Sequence, residues 1–165
     1  MTAVIGVSSA RPSAPFLAVG SIGQDQLHEL EKILADTGRQ RLFRIVLIHH
    51  PPMPSTVSWH KRLTDGVAFR SILARHGAEL ILHGHAHRTS LTQLETCTGM
   101  TPAVGVPSAS AIGRKAERCA RYHLYRLSRN VQGWDVQVSV RRYSLADDRF
   151  VANGIRHLML PRQVG

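Results

Sequence analysis

The sequence predicts an α/β fold with a parallel sheet that carries a histidine-rich edge. Three observations predict it. Two continuous apolar runs, Ile45-Val46-Leu47-Ile48 and Leu80-Ile81-Leu82, read as strands buried on both faces. A helical pattern separates them, so the three form a strand–helix–strand unit, whose crossover joins parallel neighbours. Each run ends directly in a histidine motif, His49-His50-Pro51-Pro52 and His83-Gly84-His85-Ala86-His87. In parallel neighbours both motifs fall on one edge of the sheet, the edge where open α/β folds place their sites.

The elements follow in order. Val4-Ile5-Gly6-Val7 is a short apolar run expected to be a strand, and a Pro/Gly/Ser-rich loop spans residues 8–20. Ser21 and Gln24 have the spacing of a capping box, with Ser at the N-cap. Leu27, Leu30, Ile33 and Leu34 then predict a helix over 22–37 with those side chains facing inward, and Gly38 suits the position after its end. After the strand at 45–48 the two prolines stop regular structure, and residues 53–64 read as loop. Phe69, Ile72, Leu73 and His76 mark a second helix closed by Gly77. Beyond His87, residues 104–107 predict a short strand and residues 122–127 another. Trp134, Val136, Val138 and Val140 alternate with Asp135, Gln137, Ser139 and Arg141, a period of two that puts one face in the core. Residues 157–160 supply a last strand, so the final third is expected to be mainly antiparallel. No repeat, low-complexity segment or domain boundary interrupts the 165 residues, which are read as a single domain over 1–165.

Composition narrows the function classes. A hydrophobic fraction of 43% with 19% charged residues is globular. No apolar run approaches the ~20 residues of a membrane helix. The weakly apolar N-terminus has no basic flank ahead of it, so a signal peptide is not expected and a cytoplasmic location is. Cys97 and Cys119 are too far apart for a metal knuckle and are read as reduced thiols. The formal charge of +10 favours anionic partners such as phosphate esters, nucleotides or nucleic acid. It is spread over small clusters, Arg39–Arg41–Arg44, Arg114–Lys115–Arg118 and Arg141–Arg142, read as a solvated surface. With only 5% aromatic residues a base-stacking surface is poorly supported, and nucleic acid is not the expected partner.

The chemistry lies in the histidines, and Gly84 ahead of His85 and His87 is expected to let the backbone turn so that both rings can point at one cavity. An H-x-H on one loop can feed two ions with one imidazole each, and neutral imidazole suits zinc, iron and manganese. Two metals ~3.5–4 Å apart need ligands from several chain segments. A second strand ending in His49-His50 one crossover earlier supplies such a segment.

The pairing of Ile48-His49-His50-Pro51-Pro52 with Leu82-His83-Gly84-His85-Ala86-His87 resembles the calcineurin-like metallophosphoesterases, closest to the bacterial branch that includes class III cyclic nucleotide phosphodiesterases. Val4-Ile5-Gly6-Val7, Gln26-Leu27 and residues 104–110 resemble it too, so the likeness covers roughly residues 2–140. The resemblance implies a four-layer α/β/β/α sandwich with mixed sheets. It implies two divalent or transition metal ions (Mn, Fe or Zn), bridged by a carboxylate and a hydroxide that hydrolyses a phosphate ester, with nucleotides among the candidate substrates. By the same resemblance His49 and His85 bind one metal and His87 the other. His50 is not a ligand of the family and is a candidate for substrate contact or for supporting the shell, with a plain structural role as the alternative. Lys61 or Arg62, at the end of the 55–61 segment that is expected to rim the pocket, and Arg88, directly after His87, are candidates for phosphate contact.

The family's earlier motifs are missing: no Asp stands two residues before a His, no Gly-Asp occurs, and neither Asn130 nor Asn153 precedes a His. The chain therefore resembles the C-terminal half of the domain and reads as N-terminally truncated. Three neutral histidines leave both ions short of ligands and of negative charge, so a competent centre is not expected from this chain alone. A complementary N-terminal segment or a homo-oligomer is the expected partner, and the alternative is a non-catalytic remnant or split half that folds against another chain. An uncovered sheet edge with exposed apolar faces should accompany either.

Overall fold

The computed structural model describes residues 1–112, 119–131, 133–158 and 160. Ten main elements run in the order β1 (Thr2–Val7), α1 (Gln24–Arg39), β2 (Phe43–Ile48), α2 (Gly66–His76), β3 (Leu80–His83), β4 (Ser90–Thr96), β5 (Gly99–Gly105), β6 (Arg121–Asn130), β7 (Gly133–Ser144) and β8 (Arg149–Leu158). Two short 3-10 turns, Pro54–Thr56 and Trp59–Lys61, shape the loop between β2 and α2. The first sheet has the order β1-β2-β3-β5-β4, parallel except for the β4–β5 pair. The second is an antiparallel β6-β7-β8 meander.

Two apolar clusters show how the layers stack. Leu27, Leu30 and Leu34 of α1 and Phe69, Ile72 and Leu73 of α2 pack on Ile5, Val7, Val46, Ile48 and Ile81 of the first sheet. The other face of that sheet sets Phe43, Ile45, Leu80 and Val104 against Val136, Val138 and Val140 of β7. Alternation along each strand sends successive side chains to opposite faces, which is why residues 45–48 of β2 and 80–82 of β3 are apolar without a break. The described residues thus form three layers, helices on a mixed sheet on an antiparallel sheet. No helix among them is long and apolar enough to cross a membrane. Cys97 and Cys119 form no disulfide.

Several local expectations are corrected. Helix α1 begins at Gln24 with Gly23 at its N-cap, and no side chain of its own caps it. Ser21 Oγ instead donates to Asp65 Oδ2, which also accepts from the backbone N–H groups of Ile22 and Gly23, both at 2.8 Å. A carboxylate brought from another loop answers the free amides at the helix start, and its charge complements the dipole better than a serine hydroxyl. Gly38 lies inside the last turn of α1 rather than after it. A Cβ there would stand 2.9 Å from Arg44 Nη1, so Gly38 makes room for a buried guanidinium. The chain leaves the helix through Gln40 and then Arg41, which takes a left-handed φ of 54°. Ile33 is 42% exposed, not inward.

The Arg39–Arg41–Arg44 cluster is not all surface. Arg44 is buried and paired with Glu79, with Nε donating to Oε2 at 3.0 Å and Nη2 to Oε1 at 2.8 Å. Residues 90–96 form a strand that the sequence pattern does not announce, and β5 covers 99–105 instead of 104–107. Pro102 inside β5 hides that strand, because proline is a poor strand signal. The Arg114–Lys115–Arg118 cluster lies outside the described residues, and so does Met159 of the expected last strand.

Candidate functional site: the histidine edge

Parallel pairing in register makes the edge. Ile48 of β2 faces His83 of β3, so His49 and Gly84 emerge side by side. Gly84 N–H donates to His49 O at 3.1 Å, and Val106 N–H donates to His83 O at 3.1 Å, so the ladder runs one step past each strand. His49 Nε2 and His85 Nδ1 then meet at 3.1 Å, with ring centroids 5.0 Å apart. Two nitrogens each ~2.0–2.1 Å from a tetrahedral zinc stand roughly 3.3 Å apart. The spacing of this pair fits a shared ion with little movement.

The turn that carries the second motif is strained at its histidines. Left-handed φ values occur at His85 (63°) and His87 (51°), whereas Gly84 has no positive φ. The expectation that Gly84 supplies the turn is corrected: the backbone reverses on the two histidines, where a side chain makes that conformation costly. A Cβ at Gly84 would meet only His49, at 3.8 Å, which is ordinary contact. Ala86 N–H closes the turn on Gly84 O at 2.7 Å.

His85 is held neutral. Burial lowers its pKa to about 4, assisted by the nearby charges of His50, His49, Lys61 and His87. Its Nε2 is buried with no partner. The nitrogen that faces His49 is Nδ1, and a neutral ring leaves one of its two nitrogens bare, as a metal ligand must.

His50 is committed elsewhere. Its Nε2 lies 3.2 Å from Ala18 O, so Nε2 donates, and Nδ1 accepts from Ser9 Oγ at 2.8 Å. Ser9 Oγ in turn accepts from the His50 backbone N–H at 3.3 Å. Burial lowers the His50 pKa in spite of the Ala18 contact. With both nitrogens satisfied, His50 anchors the 8–20 loop beneath the site. Gly20 is required there, because a Cβ would stand 2.3 Å from His50 Nδ1. Nothing in the pattern of the sequence signals Ser9, Ala18 or Gly20 as parts of this anchor.

His87, Lys61 and Arg88 line one open cleft of about 900 Å³ together with His85 and the 55–58 segment. Arg88 is steadied there, its Nη2 donating to Thr56 O at 2.8 Å. Trp59, on the same loop, is 68% exposed. The cleft lining thus holds two permanent cations and two imidazoles. A second hollow lies against His49, Gly84, Gly6, Leu47 and Leu82, on the far side of the edge. Its apolar wall belongs to an uncovered corner of the sheet: Val4 is 63% and Leu47 38% exposed, and a Cβ at Gly6 would meet nothing within 4 Å.

The donor set is partial. Among the described residues, no group of three or more His, Cys, Asp or Glu side chains stands within reach of one ion. The histidine edge offers two converging nitrogens and no carboxylate.

No protein-family model matches the chain. No curated protein matches it either. Among solved structures its fold is similar to that of a dimetal phosphatase from Danio rerio, with a TM-score of 0.52 and 11% sequence identity. The alignment covers 87% of this chain and 39% of that one, so the chain spans well under half of the length of that protein. At this identity the likeness is one of fold.

Proposed function

We propose that the chain is the C-terminal part of a calcineurin-like metallophosphoesterase domain, of the branch that resembles class III cyclic nucleotide phosphodiesterases. The remaining ligands of its two metals would come from polypeptide outside residues 1–165. The observation that carries this reading is the meeting of His49 Nε2 and His85 Nδ1 at 3.1 Å beyond two neighbouring parallel strands. His49 and His85 would hold one ion and His87 the other. The ions would supply a hydroxide near neutral pH and neutralise charge building on a phosphoryl group. In this chain, Lys61 and Arg88 orient the anionic ester along the cleft, and His50 fixes the loop below. The fourth layer of the α/β/β/α sandwich would be completed by the same missing part.

Metal titration and turnover test the proposal together. The metal-free chain should take up at most one weakly held zinc or manganese ion, and His49→Ala or His85→Ala should abolish that uptake. Joined to a segment that carries Asp-x-His, Gly-Asp and Gly-Asn-His, encoded in frame before Met1, it should bind two ions tightly and hydrolyse a phosphodiester. A completed domain that holds no metal and turns over no ester overturns the reading.

A second reading has its own observation, the exposed Val4 and Leu47 beside the unpaired edge of β1. It is a non-catalytic half that folds against a separate chain. That reading predicts a stable complex and no hydrolysis in any completed form.

A further inference from the structure

The core-facing side of the β6–β8 sheet turns basic at one end, and two buried donors there, His123 Nε2 and Arg142 Nε, lack acceptors. In register, Arg121 faces Arg142, His123 faces Val140, and Arg156 faces Val138. Val138 and Val140 are buried against the first sheet, so these basic residues share the inner face with them. His123 and Arg142 are diagonal neighbours, a separation of roughly 7–8 Å between Cα atoms that long side chains span. Arg121 Nη1 donates to Thr89 Oγ1 at 3.1 Å, which places this end of the sheet beside the segment that follows His87 and Arg88.

The Tyr125 hydroxyl and His123 Nδ1 lie 3.1 Å apart, and burial keeps that hydroxyl protonated, so it can donate to Nδ1 in the tautomer that leaves Nδ1 bare. A neutral His123 must then carry its proton on Nε2, and that nitrogen is buried with no partner. Arg142 Nε is likewise buried with no partner. Among the described residues no carboxylate pairs with Arg142 or Arg156. Burial, then the charges of Arg156 and Arg121, disfavour a second proton on His123. Buried donors without acceptors are destabilising. Aligned like charges across a sheet add to that cost. One oxyanion would answer all of these groups.

We propose that this corner is an oxyanion site that binds a phosphate group through Arg142, Arg156 and the Nε2–H of His123. It is separate from the histidine edge and does not depend on the metallophosphoesterase reading. Its donor geometry and positive charge select a tetrahedral oxyanion over chloride, because several charge-assisted bonds form at once.

The test uses the metal-free chain with sodium phosphate, and sodium chloride at matched ionic strength as control. Phosphate should raise the Tm of the wild type beyond the chloride control and move the His123 ring signals in NMR titration. Arg142→Gln should weaken phosphate roughly tenfold or more, the loss expected for one charge-assisted contact. The same substitution should raise the Tm without phosphate, because it removes a like charge. Arg156 is exposed, so Arg156→Gln folds readily and should weaken phosphate as well. Arg75→Gln, remote from the corner, should leave the response intact, and so should His49→Ala with His85→Ala. The proposal is overturned if chloride reproduces the shift, if both arginine variants keep the wild-type affinity, or if the histidine double variant loses the response.

Discussion

Replacing Glu79 by leucine should destabilise the chain by about 3–5 kcal/mol, the cost of leaving one member of a buried ion pair without the other. The structure shows why the upper part of that range applies. Both side chains are nearly inaccessible, at 4% and 3%. Glu79 Oε2 also accepts the backbone N–H of Arg44 at 2.6 Å, so three donors of Arg44 lose their acceptor together. Arg44 Nη1 would keep His76 O at 2.7 Å and Leu34 O at 3.4 Å, so the charge would stay buried rather than swing out. For a chain of this length the loss corresponds to a fall in Tm of roughly 6–20 °C. Arg44→Met should cost a similar amount by stranding the carboxylate. The double variant should cost far less than the two singles added, because no uncompensated charge remains. Urea denaturation of the four proteins, followed by circular dichroism, measures the cycle. Single-variant losses that simply add in the double variant would refute the reasoning, since the pair would then carry no coupling.

Gly20→Ala should lose about 1–3 kcal/mol by driving a methyl into the His50 ring, with the His50 ring signals in NMR showing the broken Ser9 and Ala18 bonds; an unchanged spectrum would place the anchor elsewhere. At the left-handed turn, His87→Gly should be more stable than His87→Val by ~1–2 kcal/mol, because a β-branched residue tolerates that φ least; equal stabilities in thermal melts would mean that the turn relaxes at no cost. Stability of the metal-free chain should fall on acidification below about pH 6.5 and go on falling toward pH 4. The pKa values of His50, His83 and His123 are lowered, and that of His85 reaches about 4. In that window the unfolded chain binds more protons than the folded one, so stability rises with pH there and is fully present above it; a Tm that is flat from pH 7 to pH 5 contradicts this.

Legibility followed the range of the forces involved. The strands at 45–48 and 80–82, the helix between them and the alternation at 134–141 were readable because each encodes its own burial in a local period. The meeting of His49 and His85 was readable for the same reason, since parallel pairing needs only strand ends to bring them together. What stayed hidden was held by long-range partners. Asp65 caps α1 from 42 residues downstream of the N-cap Gly23 and leaves the Ser21–Gln24 pattern unused. Gly38 looked like a helix stop because local rules cannot see Arg44 beneath it. For His50 the sequence leaves substrate contact, support of the shell and a structural role open, and the partners that occupy both of its nitrogens, Ser9 and Ala18, lie 41 and 32 residues away. In the second motif the sequence pointed to glycine for the turn, and the fold put the unusual backbone on the histidines.

Charge decides what this edge can take as it stands. His85 and His87 share a cleft with Lys61 and Arg88, and no carboxylate is among its lining residues. Bringing two dications there would set four positive charges beside two fixed ones, at separations where each pair costs on the order of 1–4 kcal/mol even with good screening. An anion meets the opposite balance, because the same Lys61 and Arg88 attract negative charge. The imidazole spacing fits an ion while the surrounding field fits an anion. On the proposed metallophosphoesterase reading, acidic side chains would have to enter with the metals, and Gly6, Leu47 and Leu82 leave an apolar wall open beside His49 for the backbone that would carry them.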